Sequence, residues 1–209
     1  MLTSVGTPGV IVVAALVGYL IGSLPTAGWW ARRQGVTDLR RVGDGNPGYW
    51  NARQQLGVRA SLPVFVLDVA KGALAAACGW ALSGGVDAAW VLPVVGGGAA
   101  MVGHAWPVFA GFRGGRSILT FVGTVLVAAP VAAAIAVVVT AAVRLLTRRF
   151  DLAARVGVFG FPIVQLVIDG PWRTAATGVL MSLIGLRFAQ AAMAARSGHA
   201  SPATADPDA

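Results

Sequence analysis

The stretch Pro8–Trp30, PGVIVVAALVGYLIGSLPTAGWW, contains no charged residue. A helix that crosses a bilayer needs roughly 20 predominantly apolar residues, and this run supplies them. No Lys or Arg precedes it. The basic start of a signal peptide is therefore missing, and the run reads as an uncleaved first span. Arg32, Arg33, Arg40, Arg41, Arg53 and Arg59 follow. Basic loops stay on the cytoplasmic side, which puts the N-terminus outside.

The same reading extends along the chain. Ala60–Leu82 is a second apolar run, Ser83–Ala88 an external loop with Asp87, and Ala89–Ala110 a third run. The basic loop Phe112–Ser117 is cytoplasmic. Ile118–Leu146 is too long for one span, and Pro130 divides it into a short helix and a second one over Val131–Leu146. Arg144, Arg148, Arg149 and Arg155 mark another cytoplasmic turn. Val156–Ile168 is short, Asp169–Trp172 forms an external turn, and Ala175–Ala195 returns to Arg187 and Arg196. The expectation is an all-α, polytopic membrane protein with about seven transmembrane helices and a cytoplasmic C-terminus. Residues 1–196 form one membrane-embedded domain, and 197–209 a disordered polar tail.

Composition excludes the other classes. Charged residues make up 11% of the chain and hydrophobic ones 56%, with a mean hydropathy of +0.74. Soluble domains run near a quarter charged. The net charge of +8 does not indicate nucleic acid against this apolar background; it suits orientation in the membrane and anionic headgroups or substrates. Fifteen arginines against one lysine (Lys71), with eight aspartates and no glutamate, read as a compositional bias. The single cysteine, Cys78, excludes an intramolecular disulfide, and two histidines leave no basis for a transition-metal site. Gly18 and Gly22 share a helical face, and with Gly96–Gly98 they suit close helix packing. No internal repeat is evident, which disfavours an inverted-repeat transporter.

Two glycine-rich segments stand out. Gly43-Asp44-Gly45-Asn46-Pro47-Gly48 fits G-x-G-x-x-G but lacks the βαβ context of a dinucleotide site. In isolation it reads as a turn between helices. With Arg40 and Arg41 before it, and Asn46 and Asn51 as donors, it also suits an anionic headgroup, its backbone N–H groups facing a phosphate. The second segment runs from Gly103-His104 to Arg113-Gly114-Gly115-Arg116-Ser117. Juxtamembrane arginines ordinarily anchor the inside face, but two glycines between Arg113 and Arg116 point to a phosphate cradle. His104 is either a packed histidine or a polar contact to substrate. Ser23 bonds its own helix backbone or lines the site. Asp68 and Lys71, three apart, read chiefly as a structural ion pair within a span.

Taken together, Gly22-Ser23-Leu24-Pro25, Asp38-Leu39-Arg40, Gly43-x-Gly45-Asn46-x-Gly48-x-x-Asn51, Asp68-x-x-Lys71-Gly72, and Gly103-His104 through Arg113-Gly114-Gly115-Arg116 resemble the bacterial acyl-phosphate-dependent glycerol-3-phosphate acyltransferases, the PlsY family. The resemblance implies a seven-helix monomer of the cell membrane, with its site at the cytoplasmic face. It implies acyl transfer from acyl phosphate to glycerol 3-phosphate, giving lysophosphatidic acid and phosphate, with no cofactor and no metal. Carried over residue by residue, Ser23 and His104 act at the reacting centre. Arg40, Gly43, Gly45, Asn46, Asn51, Arg113, Gly114, Gly115 and Arg116 hold phosphates. The chain also departs from the pattern. Asp44 stands where the family has Ser, and Arg116-Ser117 stand where it has Lys-Gly. A His and an Asn after the last span are replaced in Arg187-Phe188-Ala189-Gln190-Ala191. Gln190 sits beside the lost Asn position, and one helical residue is a turn of about 100°; it is expected to substitute only where the helix end is irregular. The expectation is weakened or altered transfer. The alternatives are an inactive relative that binds a phosphorylated lipid, and a small transporter.

Overall fold

The computed structural model describes residues 7–36, 38–84 and 90–196. The external loop expected around Asp87 and the tail expected at 197–209 fall outside them. Among the described residues the regular elements are all helices, with no strand. The helices are α1 (Thr7–Gly22), α2 (Thr26–Arg33), α3 (Tyr49–Ala81), α4 (Val91–Ala105), α5 (Ile118–Ala128), α6 (Pro130–Thr147), α7 (Phe150–Asp169) and α8 (Pro171–Arg196). Short 3-10 turns lie at Leu39–Arg41 and Val108–Ala110.

Among the described residues, six segments are long and apolar enough to cross a membrane: Pro8–Arg33, Tyr49–Ala81, Val91–Ala110, Pro130–Thr147, Phe150–Asp169 and Pro171–Arg196. At about 1.5 Å per residue, the 11 residues of α5 fall short of a bilayer.

The sequence-derived boundaries need four corrections. The first run breaks after Gly22, because Pro25 has no amide hydrogen to continue the helix. The second helix starts at Tyr49, not Ala60. Its first turns are set off by Gly57 (φ 79°, ψ 172°), a conformation that costs glycine little. The short run Val156–Ile168 is a helix of 20 residues from Phe150, with Arg155 inside it. The turn expected over Asp169–Trp172 shrinks to Gly170, with Asp169, Pro171 and Trp172 all helical.

Four helices meet backbone to backbone. A Cβ on Gly18 would strike the carbonyl of Gly96, and one on Gly22 that of Ala100, so α1 lies directly on α4. Gly72 meets the Thr120 carbonyl and Gly123 the Val69 carbonyl, which joins α3 to α5. Gly79 against Leu92 joins α3 to α4. A second layer of α6, α7 and α8 packs on this group through Met101, Phe121, Val125, Phe161 and Ile184. A hydrogen bond from the Thr177 hydroxyl to Gln165 Oε1 ties α8 to α7.

Gly72→Ala is expected to lower stability by about 1–3 kcal/mol, since its Cβ meets backbone that has no room to yield. Gly178, with open space around its Cα, is the control. Denaturation in detergent checks this: Gly72→Ala should melt earlier than wild type, while Gly178→Ala matches or exceeds it.

Candidate active site

The first glycine-rich loop is shaped from within. Asn51 is fully buried, and its side-chain amide donates to the carbonyls of Leu39 (2.8 Å) and Val42 (2.9 Å). Gly43, at φ 59°, lies so close that a Cβ would strike Asn51 Oδ1. Asp44 Oδ1 accepts from the Asn46 amide at 3.1 Å, a local turn typical of aspartate. Ahead of the loop, Asp38 accepts from the Arg40 amide and guanidinium. The hydrogen-bonded guanidinium holds the Asp38 carboxyl below its ordinary value, and Asp38 in turn raises that of Arg40.

The second loop doubles back on the end of α4. Gly114 N–H donates to the Ala105 carbonyl (3.1 Å) and Gly115 N–H to the His104 carbonyl (3.0 Å). A Cβ on Gly115 would overlap the His104 ring, and one on Gly114 the His104 carbonyl. The amides of Gly45, Asn46, Gly48, Gly114 and Gly115 have partners within the fold. At Gly114 and Gly115 the absent side chain permits the close approach of His104 and Ala105.

Arg187, on α8, braces this loop. Its Nη2 donates to the Gly114 carbonyl (2.9 Å), its Nε to the Gly115 carbonyl (3.2 Å) and its Nη1 to Gln190 Oε1 (2.8 Å). The guanidinium also lies over the Trp106 ring.

Deeper in, three charged or titratable groups are buried together. Lys71 Nζ is 2.8 Å from Asp68 Oδ1, and His104 Nδ1 is 3.7 Å from the same oxygen. The Thr26 hydroxyl donates to it at 3.2 Å. A buried charge in apolar surroundings is tolerated when paired, and the pair leaves Lys71 facing the open site.

Two cavities adjoin at Gly114, which lines both. The first, about 180 Å³, is lined by Arg32, Arg40, Lys71, His104, Arg113 and Gly115 among others. The second, about 300 Å³, is lined by Asp44, Gly45, Asn46, Arg116, Arg187 and Gln190, with Ala191 and Ala194. The two loops touch directly: Arg116 pairs with Asp44 at 2.9 Å, and Arg40 reaches the Ala110 carbonyl. They therefore share one end of the bundle.

Of the residues expected from sequence, Arg40, His104, Arg113, Gly114 and Gly115 border the first cavity, and Gly45, Asn46, Gly114 and Arg116 the second. Gly43, Asn51 and Ser23 border neither. Asn51 acts as a brace. Ser23 is fully buried beside Gly103, with no hydrogen-bond partner for its hydroxyl among the described residues. No Ser–His relay is formed. α8 is helical through Arg196, so the irregular helix end that substitution by Gln190 would need is not present; Gln190 and Ala191 both line the second cavity, with Gln190 Oε1 held by Arg187. Lys71 and Thr26 are site residues that the sequence reading misses; the Asp68-x-x-Lys71 spacing within a span reads there chiefly as a structural ion pair.

Residues 12–203 match the model of the glycerol-3-phosphate acyltransferase family. The chain belongs to this family. It is 36% identical over 156 residues to a glycerol-3-phosphate acyltransferase of Thermoanaerobacter sp. (strain X514), covering 75% of this chain and 76% of the relative. It is 36% identical over 173 residues to glycerol-3-phosphate acyltransferase 1 of Deinococcus radiodurans, covering 82% and 85%. The fold is similar to crystal structures of PlsY, an integral membrane glycerol 3-phosphate acyltransferase. Its glycerol 3-phosphate form superposes with a TM-score of 0.74 at 30% identity, covering 90% of this chain and 92% of that one. The lysophosphatidic acid form gives 0.71 at 28% identity. The chain is a multi-pass protein of the cell membrane.

Arg187→Lys keeps the charge but loses the planar fork that grips two carbonyls. It is expected to cost about 1.5 kcal/mol. Thermal denaturation of the purified variant should show a fall of several degrees; an unchanged midpoint would mean that the loop is held by other contacts.

Proposed function

We propose that this chain transfers a fatty acyl group from acyl phosphate to glycerol 3-phosphate, releasing lysophosphatidic acid and phosphate. The observation that carries this reading is the pair of adjoining basic cavities at one end of the bundle. Two phosphorylated reactants need two anion sites side by side, so that the glycerol hydroxyl meets the acyl carbonyl. The forms in which PlsY was crystallised support the same pair of reactant and product. Both cavities are built from one chain, in keeping with a monomer working among membrane lipids.

The chemistry needs little from the protein beyond placement. The hydroxyl oxygen of glycerol 3-phosphate attacks the acyl carbonyl carbon. The bond from that carbon to the phosphate oxygen breaks, and the departing phosphate takes up the hydroxyl proton. Phosphate is already a good leaving group, so no strong protein nucleophile is required, and the unpartnered Ser23 hydroxyl is no obstacle. Arg40 and Arg113 hold one phosphate and Asn46 and Arg116 the other. Lys71 and His104, at the floor of the first cavity, stabilise charge developing on the carbonyl oxygen. Ser23 orients the end of α4 from beside Gly103. Gly43, Gly45, Gly114 and Gly115 give the loops their shape, and Asn51 braces the first of them. The sites share one end of the bundle, whereas a transporter would keep its site at the midplane with access from both sides.

Purified protein should make lysophosphatidic acid from acyl phosphate and glycerol 3-phosphate in preference to acyl-CoA or acyl carrier protein as donor. His104→Ala should slow it on the order of 10²–10³-fold. Activity confined to a thioester donor would contradict the proposed reaction. Transfer should also be slower than in a relative with the complete C-terminal His and Asn, and the double change Phe188→His with Ala191→Asn should raise it; an unaltered or lower rate would show that Gln190 already fills the role.

The arginines at the ends of α2, α3 and α6 support an outside N-terminus and a cytoplasmic site. On a Cys78→Ser background, Gln54→Cys should react with an impermeant thiol reagent only after cells are opened, and Trp172→Cys in intact cells. The opposite pattern would reverse the orientation.

A further inference from the structure

The second cavity contains a group that works against its own purpose. Asp44 lies in the same wall as Arg116, Arg187 and Asn46, where a carboxylate repels an incoming phosphate. Its two oxygens are divided between two tasks. Oδ1 accepts from the Asn46 amide at 3.1 Å and so shapes the first loop. Oδ2 accepts from Arg116 Nη1 at 2.9 Å. Arg116 in turn lies over the Phe188 ring, 4.6 Å from its centroid. The guanidinium is thus held between a carboxylate on the first loop and an aromatic face on α8. Arg187 is engaged with the carbonyls of Gly114 and Gly115. Arg116 is therefore the cation of this cavity with the most to offer a ligand, and Asp44 occupies it.

We propose that Asp44 is a specificity-determining residue: an internal anion clasped by Arg116 that a phosphate monoester must displace in order to bind the second cavity. The clasp joins the two loops, and Asn46 and Gln190 line the same cavity beside it. The exchange replaces one carboxylate–guanidinium contact with a phosphate–guanidinium contact, and only a ligand richer in negative charge than a carboxylate gains by it. A carboxylate analogue of similar size is thereby excluded. This inference rests on the reading that the cavities hold phosphorylated reactants.

Asp44→Asn isolates the charge, because the amide oxygen still accepts from the Asn46 N–H. Inorganic phosphate is titrated calorimetrically into wild type, Asp44→Asn, Arg116→Gln and the double variant, with thermal melting as the folding control. The KM for glycerol 3-phosphate is measured in parallel. Asp44→Asn is expected to tighten phosphate binding, and to lower that KM, about three- to tenfold. In the Arg116→Gln background the same change should tighten binding less than twofold, because the clasp is already gone. Equal tightening in both backgrounds would mean simple repulsion and overturn the clasp. Weaker binding by Asp44→Asn would mean that the bridge organises the site, and would overturn it as well. So would failure of every variant to bind phosphate. A wild-type protein that binds phosphate yet makes no lysophosphatidic acid would count against the proposed function, with the clasp still judged on the titration.

Discussion

Backbone contact at glycine is the constraint on which the rest of the molecule depends. Lipid tails are as apolar as Leu or Val, so helices within a membrane gain little from hiding such side chains. They gain from close van der Waals contact, and here that contact is made at Gly18, Gly22, Gly72, Gly79 and Gly123. At these points α1, α3, α4 and α5 have no Cβ to hold them apart. The approach carries the polar residues with it. Lys71 in α3 and His104 at the end of α4 are drawn toward one cavity, and Asp68 accepts from Thr26 and pairs with Lys71, with His104 close by.

That compactness has an electrostatic consequence. Buried charges without partners are costly, and this site contains many cations. Four of them are balanced locally: Lys71 by Asp68, Arg40 by Asp38, Arg116 by Asp44, and Arg187 by two carbonyls and an amide oxygen. The site is therefore pre-ordered before any ligand arrives. These contacts fix the loops and side chains that line the cavities.

The multi-helix class was legible because a bilayer leaves few options. Backbone groups in hydrocarbon must be bonded within the segment, and an uncharged run such as Pro8–Trp30 has no other comfortable home. Helix starts were less legible. Arg144 and Arg155 read as turn residues in the sequence, yet an arginine stem lies comfortably along a helix while its head reaches water; α6 runs to Thr147 and α7 begins at Phe150. The reason for each glycine in the two loops is not legible in the sequence. A glycine needed for a nearby phosphate and one needed for a nearby backbone look identical in sequence. Here Gly114 and Gly115 are glycines because His104 and Ala105 lie against them. The bond from Arg187 to that loop joins residues more than seventy positions apart, which no local pattern reveals. Gln190 and its bond to Arg187 within the second cavity depend on how α8 packs against the loop, which the sequence does not show.

The central claim is that two phosphate-bearing reactants occupy adjoining sites on one chain at the same time. Calorimetric titration with an acyl phosphonate, inert to transfer, tests it most directly when performed with and without saturating glycerol 3-phosphate. The account predicts that each binds in the presence of the other, with a ternary complex of one copy of each per chain. Mutually exclusive binding would contradict it, because a single anion site has no place for a hydroxyl beside the acyl carbonyl.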